Sequence, residues 1–275
     1  MSVIILGSNG MLGSMIYFLA KTEYSHIPII TISKSDFDVL YNNMSNLESL
    51  LCTHDCKVII NCIGAIPQKK YTPYEYSIIN TTFPQDLSLY CKDKGISLIH
   101  ISTNCVFLGS KDMYLESDEP DASDIYGETK YLGEPSYGLV IRCSIIGLEK
   151  HTFCGLIEWF LHNKSTEING FTDSFWNGLT TLELSHIILT HINNNTIEDK
   201  LIHYYSENSL SKYDILTYVN NIFNKNIVIN NKENGIKFYT LSSIYTKPRK
   251  NIYKQIDELY SIYTKYKTFY GLISK

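Results

Sequence analysis

Five apolar runs alternating with helix-length stretches, a glycine turn closing the first run, and a change of rhythm after Gly147 predict an α/β fold. The expected architecture is a Rossmann-type doubly wound parallel sheet followed by a smaller C-terminal region. A chain of 275 residues, 44% of them hydrophobic, is long enough for one large α/β domain or a sheet domain with a companion.

The runs "SVIILG", "IPIITIS", "KVIINCIG", "SLIHIS" and "GLVIRCS" are the strands. Continuous apolar stretches of this length suit parallel strands covered on both faces. Between them lie the helix candidates Met11–Ala20, Leu47–Leu51, Pro84–Lys94 and Tyr126–Glu134, set off by Gly, Pro or Asn. After Gly147, "GLIEWFLHN" reads as a helix, and "FTDSFWNGLTTLELSHIILTHI" runs from a loop into an amphipathic helix. "LIHYYSE" is a further strand, and "LSKYDILTYVNNIF" opens with a Ser-x-x-Asp helix start. The tail "SIYTKPRKNIYKQIDELY" is a loop entering a closing helix. The pattern divides the chain into residues 1–147, with return elements near 182–206, and a region of mainly 148–275.

Composition excludes several classes. Net charge is −4 without a basic stripe, so nucleic acid is not an expected partner. No apolar run approaches the ~20 residues of a membrane span, so neither is a membrane. The N-terminus enters a strand at once instead of reading as a signal peptide. Seven cysteines scattered through core segments point to free thiols in a reducing, cytoplasmic setting. "CTHDC" (Cys52 to Cys56) lacks a second ligand pair at suitable spacing, so no metal is expected.

"GSNGMLG" sets Gly7, Gly10 and Gly13 between the first strand and first helix. Gly7 permits the tight turn, Gly10 lets the backbone approach a pyrophosphate, and Gly13 lets the helix pack close. Asn9, Met11 and Leu12 complete a turn that would hold a dinucleotide at the helix N-terminus. The second strand ends in "TISKSDFDV", where an NAD-selective site would place an acid. Ser33 and Lys34 stand there instead and suit a 2′-phosphate, so the expected cofactor is NADPH. Asp36 would restore an acid if the strand ran one turn further.

"YGETK" puts Tyr126 and Lys130 four apart on one helix face. A phenol is a poor acid at neutral pH unless a cation lowers its pKa, and Lys130 could do so. Thr103, in "ISTNCVF" at the end of the fourth strand, would be a second donor to a substrate carbonyl. Together they would polarise C=O while Tyr126 protonates the oxygen.

These motifs, with "INCIGA", "YGETKYLGE", "LVIRCSIIG", "WNGLTTLEL" and "KPRKNIYK", make the chain resemble extended short-chain dehydrogenases/reductases of the dTDP-4-dehydrorhamnose reductase branch. The resemblance spans nearly the whole chain and implies Thr103, Tyr126 and Lys130 as the catalytic set. It places Asn61, Cys62, Ile63, Gly64 and Ala65 near the cofactor, Asn80 as a support, and Asp38 and Val39 by the adenine. Dinucleotide binding would fall to the first region and substrate binding to the second. Asn104 and Cys105 depart from the Asp-Tyr usual in the branch, and the absence of an Asp-Glu pair argues against dehydration. GDP-fucose synthases carry a cysteine at the position of Cys105 and use it as an acid/base in epimerisation. That similarity implies a thiolate removing the C3 proton, with His151 as a candidate opposite acid. The expected substrate contacts are Thr103, Asn104 and Cys105, with Trp176 able to stack on a base or sugar and Asn177 to hydrogen-bond it, while Arg249 resembles the reductase family's arginine near the diphosphate.

The activity implied is reduction of the C4 ketone of a nucleotide-linked 6-deoxy-hexos-4-ulose, specifically a UDP-2-acetamido-2,6-dideoxy-hexos-4-ulose, with C3 epimerisation as an additional step. The expected partners are the nucleotide-sugar substrate and, in a homodimer, a second copy of the chain. Two alternatives share the motifs: a non-catalytic NADP-binding regulatory subunit like the methionine adenosyltransferase beta subunit, and an NAD-retaining epimerase.

Overall fold

The computed structural model describes residues 2–149 and 152–265. Its main sheet has six strands, including β1 (Ser2–Leu6), β2 (Ile29–Ile32), β3 (Cys56–Asn61), β4 (Ser97–Ile101) and β5 (Leu139–Arg142). The order runs from Lys200–His203 through β5, β4, β3 and β1 to β2 at the other edge. The β1–β2, β1–β3, β3–β4 and β4–β5 pairs are all parallel, as the continuous apolar runs require. Ile4, Leu6, Ile59 and Leu98 are fully buried, and each such side chain stabilises the fold by roughly 1.5–3 kcal/mol.

The crossovers are α1 (Met11–Thr22), α2 (Met44–Leu51), α3 (Pro73–Ser77), α4 (Phe83–Lys94) and α5 (Ile125–Leu132). α2 starts three residues before the sequence expectation because Asn43 and Asn46 form a reciprocal cap. Ahead of α4 the chain forms a helix that the apolar pattern missed. Thr72 and Glu75 cap α3, Pro73 opens it, and a π-helical turn at Ile78–Thr82 carries it into α4. α5 begins at Ile125 instead of Tyr126, with the Asp124 carboxylate accepting from the Gly127 amide.

The chain forms two compact units. One comprises Met1–Val106, Glu119–Arg142 and Ser185–Ile202 and holds the main sheet; the other comprises Phe107–Asp118, Cys143–Leu184 and His203–Lys275. The second unit carries a three-stranded sheet (Leu210–Ser211, Ser174–Trp176, Lys237–Tyr239) and two parallel strand pairs. Its helix at Lys212–Phe223 starts on the expected box of Ser211 and Asp214. Among the described residues, no helix is long and apolar enough to cross a membrane.

Candidate active site

β1 and β3 are neighbours, and the chain leaves β1 toward β2 but β3 toward β4, in opposite directions, which opens a crevice at the strands' C-terminal ends. Two loops meet there. Gly7 has φ +76°, and a Cβ on it would fall 3.1 Å from the Cys62 carbonyl carbon. A Cβ on Gly13 would fall 2.5 Å from the Gly7 carbonyl oxygen, so only glycine lets α1 pack this close. α1 starts at an extended Gly10 with no side-chain cap and no acidic residue in its first turn. Its first amides and its dipole are therefore open to an anion. Asn9 and Gly10 are exposed, Met11 is half-buried and Leu12 is buried. These features fit the pyrophosphate of a dinucleotide.

At the end of β2, the exposed Asp36 side chain folds back on its own turn. Its carboxylate accepts from both the amide (2.8 Å) and the hydroxyl (2.7 Å) of Ser33, and these bonds hold its pKa below the usual carboxylate range. Lys34 is exposed at the strand end, 3.4 Å from Asp38. Lys34 is thus the cation standing where a 2′-phosphate would arrive, whereas the expected Ser33 contact is corrected to a turn bond: the side chain is buried and its hydroxyl donates to Asp36.

The loop after β3 is held from two sides. Asn61 accepts from the Ile63 amide and donates to His100 Nδ1 at 3.1 Å, which leaves the His100 proton on Nε2. Asn80 leaves the π-helical turn and grips Ala65 at both its amide (2.8 Å) and its carbonyl (3.1 Å), while also donating to Thr129 of α5. Irregular turns of this kind often mark functional sites. Ala65, Tyr76 and Ile79 form a small buried cluster against which Val39, Ile63 and Tyr126 pack. The tyrosine therefore shares one apolar patch with residues expected beside the cofactor, whereas Gly64 is exposed.

Sequence reasoning missed His100. It is fully buried, and burial, then the Lys130 charge, keep its pKa well below 6.5. The native imidazole stays neutral, whereas the unfolded one takes up a proton below pH ~6.5. Stability is therefore expected to fall as pH drops below ~6.5, by up to about 1.4 kcal/mol per pH unit from this residue. Urea unfolding between pH 7.5 and 5 should show a shallower pH dependence for His100→Asn than for the wild type. Parallel curves would refute the assignment.

The strand end "STNC" provides the polar row. Thr103 and Asn104 are buried and Cys105 is partly exposed. The Cys105 amide donates to Thr103 Oγ1 at 3.1 Å, and its thiol reaches Asn104 Oδ1 at 3.6 Å. A Cβ on Gly127 would fall 2.3 Å from the Cys105 carbonyl, so the first turn of α5 lies directly against this row. Tyr126 is thereby brought beside Thr103 and Cys105. Burial pushes its phenol well above the ordinary value, the Cys105 charge adds to this, and a hydrogen bond with Thr103 opposes it.

Lys130 departs from the expectation that it lowers the tyrosine's pKa. Only 4% exposed, it donates from Nζ to the Ile101 carbonyl at 2.7 Å. Burial depresses its own pKa to about 8, against the opposing charge of Glu134. The structure thus brings Thr103, Cys105, Tyr126 and Lys130 to one strand end, with the ammonium docked on backbone. Burial also drives the Cys62 thiol up to about 12, so it stays protonated.

In the second unit, two expectations change. Asn177 is 2% exposed, and its amide donates to the Leu241 carbonyl and accepts from the Leu241 amide, both at 2.8 Å. That pairing corrects the expected substrate hydrogen bond to a clamp between chain segments. Trp176, 7% exposed, is packed in a strand instead of presented for stacking. Arg249 is half-exposed, with Nε bonded to the buried Glu183 carboxylate at 2.8 Å and Lys250 on its other oxygen at 3.1 Å. Glu183 was unremarked in the sequence; inside "WNGLTTLEL" it orients two cations. His151 lies outside the described residues.

Residues 1–237 match the family described as the RmlD substrate binding domain. A probable low-salt glycan biosynthesis reductase of Haloferax volcanii is 28% identical over 53% of this chain and 54% of its own length. Methionine adenosyltransferase 2 subunit beta of Xenopus tropicalis is 27% identical over 48% of this chain and 41% of its own. The chain spans about half the length of the curated relatives it matches. A solved dTDP-4-dehydrorhamnose reductase of Bacillus anthracis in complex with NADP superposes with a TM-score of 0.82 at 18% identity, over 94% of this chain and 98% of that one. The parallel sheet, the glycine turn and the match over residues 1–237 lead to one assignment: the chain belongs to the RmlD substrate binding domain family.

Proposed function

We propose that the protein is an NADPH-dependent reductase of the C4 ketone of a nucleotide-linked 6-deoxy-hexos-4-ulose. The observation that carries this reading is that the first turn of α5, pressed on the Cys105 backbone at Gly127, sets Tyr126 beside Thr103 at the end of β4 and packs it on the patch of Ala65 and Ile63. Gly7, Gly10 and Gly13 with the α1 N-terminus would hold the pyrophosphate, Lys34 the 2′-phosphate, and Ile63 and Ala65 the ring-bearing side. When bound, NADPH supplies the hydride that the ketone carbon receives.

The chain's own part is to handle the oxygen. Thr103 and Tyr126 donate to it, and as it gains alkoxide character Tyr126 gives up its proton. An alkoxide is far more basic than a phenolate, so a phenol with a raised pKa can still protonate it. Lys130 contributes a buried ammonium that holds the Ile101 carbonyl, and with it the strand end that carries Thr103.

For the substrate we favour a UDP-linked 2-acetamido-2,6-dideoxy sugar, with Arg249 as its diphosphate contact: Glu183 takes its Nε, so the guanidinium's outer edge is aimed by a buried anchor. C3 epimerisation rests on Cys105, partly exposed at this strand end, with the first turn of α5 packed against its backbone. Incubation with a UDP-4-keto-6-deoxy-GlcNAc intermediate in deuterated water tests both parts. Cofactor oxidation that requires the ketone is expected, together with deuterium at C3 even without NADPH. Reduction without deuterium would remove Cys105 from the chemistry; no ketone-dependent oxidation would favour a regulatory subunit.

A further inference from the structure

Beside the catalytic set lies a buried clamp that the mechanism above does not use. Glu134, two residues past the end of α5, accepts from the Ser102 hydroxyl at 2.5 Å and from Arg142 at both carboxylate oxygens, 2.8 Å from Nε and 2.7 Å from Nη2. The side chains of Arg142 and Glu134 are only 3% and 9% exposed. Ser102 also donates its amide to the Ile141 carbonyl at 2.8 Å. One carboxylate therefore joins the end of β4, the end of β5 and the segment leaving α5.

Ser102 sits between Ile101, whose carbonyl receives the Lys130 ammonium, and Thr103, which bonds Tyr126. We propose that Glu134 is a positioning residue for the reductase reaction: through Ser102 and Arg142 it fixes the strand end on which the Lys130 ammonium docks. This inference rests on the ketone-reductase reading for its catalytic consequence, though not for its geometry.

The surroundings make the carboxylate matter. Besides Glu134, the charged or titratable groups that act on Lys130 among the described residues are Cys62 after β3 and His100 on β4, while Arg142 on β5 is paired with Glu134. Cys62 and His100 are neutral at pH 7, because burial drives the thiol up and the imidazole down. Lys130 already titrates near 8 with Glu134 present. Without that charge, it would be partly neutral under ordinary conditions, and its charge-assisted bond to the Ile101 carbonyl at this strand end would weaken.

The test compares wild type, Glu134→Gln, Glu134→Asp and the double variant Glu134→Gln/Arg142→Met. In the wild type, kcat/KM should decline as pH rises through about 8. In Glu134→Gln that decline should move about one pH unit lower, and Glu134→Asp should restore it. The double variant removes the buried charge pair together and is expected to recover the melting temperature lost by the single one, while its decline stays at lower pH than the wild type's. A purely structural role would instead bring stability and pH profile back together. Titration of Lys130 by NMR with 13Cε-labelled lysine follows the same group without turnover. If Lys130 titrates identically in wild type and Glu134→Gln, the proposal is overturned. If it responds but no ketone-dependent oxidation occurs in any variant, the reductase reading fails and the clamp stands.

Discussion

Tyr126→Phe is expected to lower kcat for the 4-keto sugar nucleotide by ~10²–10⁴-fold, the range typical of losing a positioned general acid. NADPH affinity should change little, because the ring remains packed against the cluster of Ala65, Tyr76 and Ile79 and only the hydroxyl is removed. The pH profile carries further information. The Tyr126 pKa is raised by burial and by Cys105, so the phenol stays protonated across the working range and contributes no limb of its own. The decline near pH 8 belongs to Lys130 and should keep its position in the residual activity of Tyr126→Phe. Stopped-flow NADPH oxidation, with cofactor binding measured separately by fluorescence, distinguishes these outcomes. Unchanged turnover would mean that another group protonates the oxygen.

Features encoded within one element were legible in the sequence. The glycine turn follows a strand directly, Tyr126 and Lys130 share one short helix, and Ser211 and Asp214 cap the helix they open. Each is fixed by spacing of three or four residues, which backbone geometry converts into position without reference to the rest of the chain. What escaped depends on partners far away. Asn177 looked available until the Leu241 backbone, 64 residues on, took both ends of its amide. Lys130 looked like a partner for Tyr126 until the carbonyl of Ile101 proved to hold its ammonium. His100 read as one more core position, and only its bond to Asn61, 39 residues away, gives it a part in shaping the cofactor loop. α3 is a different case. Thr72, Pro73 and Glu75 spell a helix start in local terms, but the helix is five residues long and continues as a π turn, so no apolar period marked it.

A comparable test applies at the other end of the crevice, where two effects of one methyl group oppose each other. Gly13→Ala would gain about 1 kcal/mol from helix propensity if space allowed, since Gly13 lies within α1. Space does not allow it. The new Cβ would meet the Gly7 carbonyl oxygen at 2.5 Å and the Ser8 Cα at 2.9 Å, both backbone atoms of the phosphate turn that no side-chain rotation can clear. Overpacking of this kind costs about 1–3 kcal/mol, so the net change is expected to be destabilising or close to neutral, never the gain that propensity alone predicts. The strain falls on the amides that would meet the pyrophosphate. Cofactor affinity should therefore suffer more than stability, by at least about tenfold, which corresponds to about 1.4 kcal/mol. Gly95→Ala is a control of a different kind: nothing lies within 4 Å of its Cβ, and its φ of +64° confines the cost to backbone strain far in sequence from the turn. Calorimetric titration with NADPH beside thermal melts for the two variants separates the effects. If Gly13→Ala melts higher and binds NADPH as wild type does, α1 does not pack on the turn as described, and the pyrophosphate site must be sought elsewhere.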